Sequence, residues 1–285
     1  MDNSNPVLHF IAKRLLAKRR RVLAQRQLRQ YSRYQTCYDV DLTFSHAVAR
    51  FTERNALHTY MHHHFYHLCP QAIREHRHYF SQNARGFGED AFHAMWWLLL
   101  REFRPKNCLE IGVFRGQVIS LWGVIAKLLD SPCEIHGISP FASVGDAVSQ
   151  YPADVDYLAD TIKAFTTFDL APPTLVRALS TDPCAIKHIC ERDWDLIYID
   201  GSHDYEVAAA DYRHCVGQLK LGGLLVMDDA SLGTEFQPPL FSFAGHPGPS
   251  KVAKEFAMKE LNFLGAVGHN NIFVKPRDCD RKGAD

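Results

Sequence analysis

The stretch LEIGVFRG, residues 109–116, joins a short apolar run to a glycine-containing turn. Such a run is typical of a buried strand, here 108–113, and Gly112 and Gly116 let the backbone turn tightly into a following helix. Further strands are predicted at 134–139, 174–179, 195–200, 223–227 and 271–275, with helices at about 116–130, 157–168, 183–191, 204–220 and 250–261. This alternation favours an α/β fold with a mainly parallel sheet and helices on both faces.

Residues that directly follow the strands are the first candidates for a binding site, because ligands of such sheets bind beyond the carboxyl ends of the strands. After the first strand the spacing is E-x-G-x-x-x-G, which differs from the G-x-G-x-x-G of dinucleotide-binding folds. A carboxylate at Glu110 would repel a pyrophosphate but suits a cationic ligand.

Two further motifs follow later strands: DLIYIDGSHDYE at 195–206 and LKLGGLLVMDDAS at 219–231. Together they resemble the class I S-adenosylmethionine-dependent methyltransferases. More narrowly, they look like the branch that includes macrocin O-methyltransferase and related sugar and small-molecule O-methyltransferases. The resemblance covers about residues 80–276 and implies a Rossmann-like domain with S-adenosylmethionine as cofactor.

The resemblance also implies which residues hold that cofactor. They are Glu110, Gly112, Gly116, Ser139, Ser180 and Asp200. Ser139 stands where the family usually has an acid that binds the ribose hydroxyls, and a serine makes a weaker hydrogen bond there than a carboxylate. Ser180, in the turn Ser180-Thr181-Asp182, is expected on the adenine side.

Three carboxylates follow neighbouring strands: Asp200, Asp228 and Asp229. Like charges brought close together are costly unless a cation neutralises them, and carboxylate oxygens suit Mg²⁺. The resemblance implies that the three hold Mg²⁺ or another divalent cation; the alternative is that Asp228 or Asp229 caps a helix or stays solvated.

His203 follows Asp200 by three residues. The resemblance implies that His203 and Asp200 are the catalytic residues, with His203 as the base that deprotonates the acceptor hydroxyl. A helix-capping or structural role for His203 is the alternative. Asp204 and Tyr205 are both candidates to orient its ring.

Two loops and a histidine-rich stretch flank these motifs. The resemblance implies that residues 81–90 cover the cofactor. We predict that the long loop 231–250 forms a substrate lid, which carries Phe236, Phe241, Phe243 and His246. Seven histidines lie between 58 and 78, and His63 and His67 have a metal-ligand spacing on a helix. Because no ligand set is completed within 58–74, we interpret the stretch as a helix face or a wall of the substrate site.

The net charge of zero conceals an uneven distribution, since residues 1–35 hold nine Lys and Arg against one acid, Asp2. The predicted helix 7–34 is interpreted in three ways: as a solvated or oligomer-packing helix, as a peripheral contact with anionic lipid, or as a nucleic-acid contact. Nucleic acid is not expected as a substrate, because IDGSH replaces the Asn/Asp-Pro-Pro-aromatic motif after the fourth strand. None of the eight cysteines forms a C-x-x-C pair, which favours a reduced, cytoplasmic protein.

The predicted organisation is a basic helical arm at 1–38, a helical cap at 39–105, a methyltransferase domain at 106–276 and a C-terminal tail at 277–285. The predicted function is metal-assisted methylation of a hydroxyl of a sugar, in a glycan, glycolipid or glycosylated natural product. The alternatives are a catechol-type or other small-molecule O-methyltransferase, and a non-catalytic cofactor-binding module recruited by its basic arm.

Overall fold

The computed structural model describes residues 6–33, 40–149 and 151–277, and its centre is a seven-stranded sheet. The strands are β1 Asn107–Ile111, β2 Glu134–Ser139, β3 Thr174–Arg177, β4 Trp194–Ile199, β5 Leu219–Met227, β6 Asn262–Val267 and β7 Asn270–Val274. Their order across the sheet is β3-β2-β1-β4-β5-β7-β6. β1 to β5 are mutually parallel, and β7 runs antiparallel to both β5 and β6. The predicted Rossmann-like α/β fold is confirmed.

Helices cover both faces of this sheet. Before β1 lie α1 Pro6–Tyr31, α2 Phe44–Arg50, α3 Arg54–His67, α4 Gln71–Ser81 and α5 Asp90–Phe103. Between the strands lie α6 Gln117–Leu128, α7 Tyr157–Thr167, α8 Pro183–Cys190, α9 Tyr205–Gln218 and α10 Pro247–Val252, which continues through a π-helical turn, Ala253–Ala257, into α11 Met258–Glu260.

The central strands are apolar on both faces, which is why they appear in the sequence as nearly continuous apolar runs. In β4, Leu196 and Tyr198 belong to one buried cluster, whereas Ile197 and Ile199 belong to the cluster on the opposite face. The first cluster includes side chains of α3, α5 and α6, and the second includes side chains of α8 and α9. The sheet therefore separates two cores.

The helices before β1 share the first of these cores. Trp96 of α5 packs edge-on against Trp122 of α6 and Tyr198 of β4, with ring centroids 5.2 and 5.1 Å away. α3 and α5 therefore close one face of the sheet. The boundaries of the arm, the cap at 39–105 and the methyltransferase domain stay a prediction, and residues 1–5, 34–38 and 278–285 of the predicted arm and tail lie outside the described residues.

The strand β6 has no counterpart among the predicted strands. Its first residues are exposed, and the pairing with β7 shifts between Phe263 and Gly265, so the segment lacks the buried run that marks the central strands. The predicted helical cap at 39–105 contains the four helices α2 to α5. No helix in the described part of the chain is long and apolar enough to cross a membrane.

Candidate active site

A cavity of about 270 Å³ lies at the carboxyl ends of β1, β2 and β4. Its wall includes four of the predicted cofactor residues: Gly112, Ser139, Ser180 and Asp200. Its volume lies near the lower end of the ~300–1,000 Å³ usual for small-molecule sites, and its position is the one that parallel sheets use for ligands. Residues at or just after the ends of four different strands thus meet in one pocket.

Gly112 occupies a position where no larger residue fits. Its φ is +100°, and a Cβ there would stand 1.8 Å from the backbone oxygen of Asp200. The two strand ends are fastened together at this point, because the Asp200 N–H donates to the Ile111 oxygen at 2.8 Å. Gly112 therefore lets the β1 turn lie directly against the β4 turn and form one wall of the cavity.

Two predicted cofactor residues do not line the cavity. Gly116 begins α6 as its N-cap with φ +82°, close to Thr161. Glu110 is 3% exposed, and burial, together with the charge of Asp228, raises the pKa of its carboxyl to about 8 against a weaker opposing hydrogen bond from the Ile119 N–H. Their cofactor roles stay a prediction.

The three predicted metal-binding aspartates lie around a second, smaller recess at the ends of β4 and β5. The Asp228 N–H donates to the Ile199 oxygen at 3.0 Å, which holds the two strand ends side by side. Burial raises the pKa of Asp200 and of Asp228, and the charge of a neighbouring aspartate raises each further. Oδ1 of Asp228 and Oδ1 of Asp229 are buried without a hydrogen-bond partner among the described residues. Buried oxygens of this kind suit a divalent cation.

The backbone of Asp229 is held in an unusual conformation, with φ +52°. The N–H of His246 donates to its carbonyl oxygen at 2.9 Å, and the Ser250 hydroxyl donates to the same oxygen at 3.1 Å. A left-handed non-glycine residue persists where its surroundings determine it, and such residues are common at functional sites. His246 and the first turn of α10 thus hold the Asp229 backbone in place.

His203 lies between two carboxylates. Its Nδ1 is 2.8 Å from Oδ2 of Asp146, and its Nε2 is 2.8 Å from Oδ2 of Asp229. Burial alone would lower the pKa of His203, but the charges and hydrogen bonds of Asp229 and Asp146 outweigh it and raise the pKa above 6.5. Asp146 also accepts from the His203 backbone N–H at 2.6 Å, so it fixes both the ring and the chain.

The structure decides which residue orients His203. Asp146 does so from the loop between β2 and α7, whereas Asp204 is the N-cap residue of α9 and the Tyr205 hydroxyl donates to Glu255 at 2.6 Å. Sequence reasoning missed Asp146, because it stands 57 positions before His203 in a segment without a motif.

Two further histidines adjoin the aspartates. Nε2 of His246 lies 3.7 Å from Oδ2 of Asp229, and Nε2 of His269 lies 3.3 Å from Oδ1 of Asp228. His246 was predicted only as part of a lid, and His269, in the turn between β6 and β7, was not singled out. The recess therefore combines three carboxylates with three imidazoles.

The two predicted loops lie next to these sites. The N–H of Ser231 donates to the Ala244 oxygen at 3.1 Å, so residues 231–244 close on themselves, and the Phe243 ring packs against His269 with centroids 4.5 Å apart. In the loop at 81–90, Phe87 packs on Phe114 of the cavity wall at 4.8 Å. Their roles as lids stay a prediction.

Comparison with known proteins points in the same direction. Residues 109–230 match the family model described as a methyltransferase domain. The fold is similar to that of the SAH-bound methyltransferase PaMTH1 of Podospora anserina, with 15% identity and a TM-score of 0.52 over 74% of this chain and 89% of that chain. It is also similar to an O-methyltransferase from Bacillus cereus in complex with SAH, with 14% identity and a TM-score of 0.50 over 73% and 93% of the two chains.

A third similar structure is a putative caffeoyl-CoA O-methyltransferase from Staphylococcus aureus, with 15% identity and a TM-score of 0.50 over 72% of this chain and 93% of that chain. A search of curated proteins found no match. The domain match and the fold together identify residues 109–230 as part of a methyltransferase domain. The resemblance to the macrocin branch stays a prediction.

Proposed function

We propose that the protein transfers a methyl group from S-adenosylmethionine to a hydroxyl, with His203 as the base. The observation that carries this proposal is the Asp146–His203 pair, in which Asp146 lines the cavity and His203 lines the recess with the aspartates. In the transfer, the acceptor oxygen forms a C–O bond as the C–S bond breaks, and the sulfur takes the electron pair. The acceptor proton passes to Nε2 of His203.

Catalysis of such a displacement is mostly positioning plus removal of a proton. Asp146 holds His203 with Nδ1 toward itself, so Nε2 faces the recess and Asp229. An anion at Asp146 stabilises the imidazolium that forms when His203 takes the proton. The pair therefore has the arrangement of a histidine base and its orienting carboxylate.

The same residues fit a divalent cation. Asp200, Asp228 and Asp229 offer oxygens at one place, and two of those oxygens lack a hydrogen-bond partner in the described part of the chain. A bound Mg²⁺ would lower the pKa of the acceptor hydroxyl. Binding of the cation would also withdraw Asp229 from His203, since both use the same carboxylate.

For the acceptor we propose a sugar hydroxyl, in a glycan, glycolipid or glycosylated natural product. The support is the Phe243 ring, which is 44% exposed and lies 5.7 Å from the His246 ring, because sugars bind to sites that pair an aromatic face with polar groups. The alternative acceptor is a catechol or another small-molecule hydroxyl. A panel of both classes with methyl-labelled cofactor separates them, since labelling of catechols alone would overturn the sugar proposal.

Binding of the cofactor is testable at Gly112. We expect Gly112→Ala to weaken S-adenosylmethionine binding about 100-fold or more in calorimetry, because the added Cβ would force apart the β1 and β4 turns. Gly217→Ala is the matched control, since a Cβ at Gly217 meets nothing within 4 Å. If Gly112→Ala does not fold, Leu179→Trp, which fills the cavity from its exposed rim, takes its place.

The outcomes distinguish the proposed functions. Wild-type protein that does not bind S-adenosylmethionine would overturn the enzyme proposal. Binding without labelling of any hydroxyl in the panel would favour the non-catalytic module instead.

For the arm we propose peripheral contact with anionic lipid, because α1 exposes apolar and basic side chains together. Leu15 and Leu16 are 62% and 66% exposed, and Lys13, Arg14 and Lys18 lie beside them. We expect the protein to sediment with vesicles of anionic lipid at low salt, and Leu15→Ser with Leu16→Ser to reduce this at least tenfold. Equal sedimentation of the wild-type protein and the double variant would contradict the proposal. A molecular mass in solution that rises with protein concentration in the absence of lipid would favour oligomer packing.

A further inference from the structure

A separate cluster of metal-ligating side chains lies inside the helices before β1. His58 and His62 occupy the same face of α3, one turn apart, and Glu89 directly precedes α5. Oε2 of Glu89 is 2.8 Å from Nε2 of His58 and 3.2 Å from Nε2 of His62. Both histidines are 0% exposed and Glu89 is 8% exposed.

The third member of the cluster lies outside the histidine-rich stretch, since Glu89 stands 27 positions after His62. His63 and His67, the pair with a metal-ligand spacing in the sequence, are not part of this cluster. Their rings stack with centroids 4.4 Å apart, and Nε2 of His67 contacts the Ser32 oxygen at 2.9 Å.

The distances between the ligand atoms are close to those around a tetrahedrally coordinated ion. Ligand atoms about 2.0–2.1 Å from such an ion stand about 3.3 Å from one another. The three atoms Nε2 of His58, Nε2 of His62 and Oε2 of Glu89 already lie within 4.8 Å of one another, two of the separations being 2.8 and 3.2 Å. The two measured separations are within about half an ångström of the value for such an ion.

Apart from the two histidines, the Glu89 carboxylate has few polar neighbours in the described part of the chain. Oε1 of Glu89 is buried without a hydrogen-bond partner among the described residues. The rings of Tyr31 and Phe241 lie 5.4 and 5.2 Å from the His62 ring, and the Phe236 ring lies 5.4 Å from that of His58. Burying an ion among aromatic rings is costly unless it is neutralised or coordinated.

We propose that His58, His62 and Glu89 bind a Zn²⁺ ion at a site separate from the aspartates of the recess. Two imidazoles and one carboxylate are a donor set for zinc, whereas three carboxylates are a donor set for Mg²⁺. With three protein ligands, a water molecule would take the fourth position of the tetrahedron. The ion ties α3 to the start of α5 and lies beneath Phe236 and Phe241 of the 231–244 loop.

The experiment measures zinc in the full-length protein. Protein that carries Asp228→Asn and Asp229→Asn is the background; it is stripped with chelator, reloaded with Zn²⁺, desalted and analysed by mass spectrometry. In that background we expect about one zinc per chain, and we expect His62→Asn and Glu89→Gln each to weaken zinc binding ~100-fold or more. His63→Asn is the matched control, because His63 is equally buried on the same helix.

Each outcome decides the proposal. Retention of zinc by folded His62→Asn and Glu89→Gln would overturn it, as would absence of zinc uptake by the background protein, even if the two variants fail to fold. Zinc in the background protein and in His63→Asn, but not in Glu89→Gln, supports it. A Co²⁺-loaded background protein should show the strong visible absorption of a tetrahedral site, which a hydrogen-bonded cluster without metal would not produce.

Discussion

Replacing His203 with Gln is expected to lower kcat by about 10²–10⁴-fold, because a positioned general base contributes that much to proton transfer. Binding of S-adenosylmethionine should change little, since His203 lies outside the wall of the cavity that Gly112, Ser139, Ser180 and Asp200 line. Isothermal calorimetry and single-turnover kinetics measure the two effects separately. A His203→Gln enzyme with wild-type kcat would remove His203 from the mechanism.

Asp146→Asn tests whether Asp146 acts through His203. The raised pKa of His203 means that the base is free only at pH values above its ordinary 6.5, so activity should rise with pH through that raised pKa. Removing the Asp146 charge lowers the pKa, so the acidic limb of the kcat/KM profile should move to lower pH while kcat falls. A residue that served only the fold would lower the amount of active enzyme and leave the limb where it was.

The motif residues could be predicted because each follows a strand directly. Asp200 and Asp228 are carried to the same edge of the sheet by the parallel pairing of β4 and β5, which the apolar runs indicate. His203 follows Asp200 on the same turn. For such residues, the position along the chain determines the position in space.

The remaining residues of the site depend on contacts between distant segments. Asp146 reaches His203 from an irregular loop, and His269 reaches Asp228 from a turn next to β6, the strand that sequence patterning missed. Glu89 meets His58 and His62 only because α3 and α5 pack together. No spacing rule covers these pairs, since the packing of helices and loops brings them together.

Asp228→Asn is expected to raise the melting temperature of the metal-free protein and to abolish its stabilisation by Mg²⁺. The pKa values of Asp200 and Asp228 are raised in the folded protein, chiefly by burial. A carboxyl with a raised pKa favours the folded state while it is protonated, below its unfolded value of about 4, and loses that contribution as pH rises through the folded pKa. At neutral pH without metal, the buried carboxyls of Asp200 and Asp228 therefore lower the free energy of unfolding.

Two consequences follow for melting temperature at pH 7.5. Mg²⁺ at about 100 times its Kd should raise the Tm of wild-type protein by roughly 5 °C, because ligand binding at that level adds about 2.7 kcal/mol. Asp228→Asn should melt above wild-type protein in EDTA, yet gain nothing from Mg²⁺ and lose most of its activity. Exposed Asp193→Asn is the control and should respond to Mg²⁺ as wild type does. If Asp228→Asn instead destabilises the EDTA-treated protein and leaves the Mg²⁺ response intact, the carboxylate is a structural partner of His269, and the cation lies elsewhere.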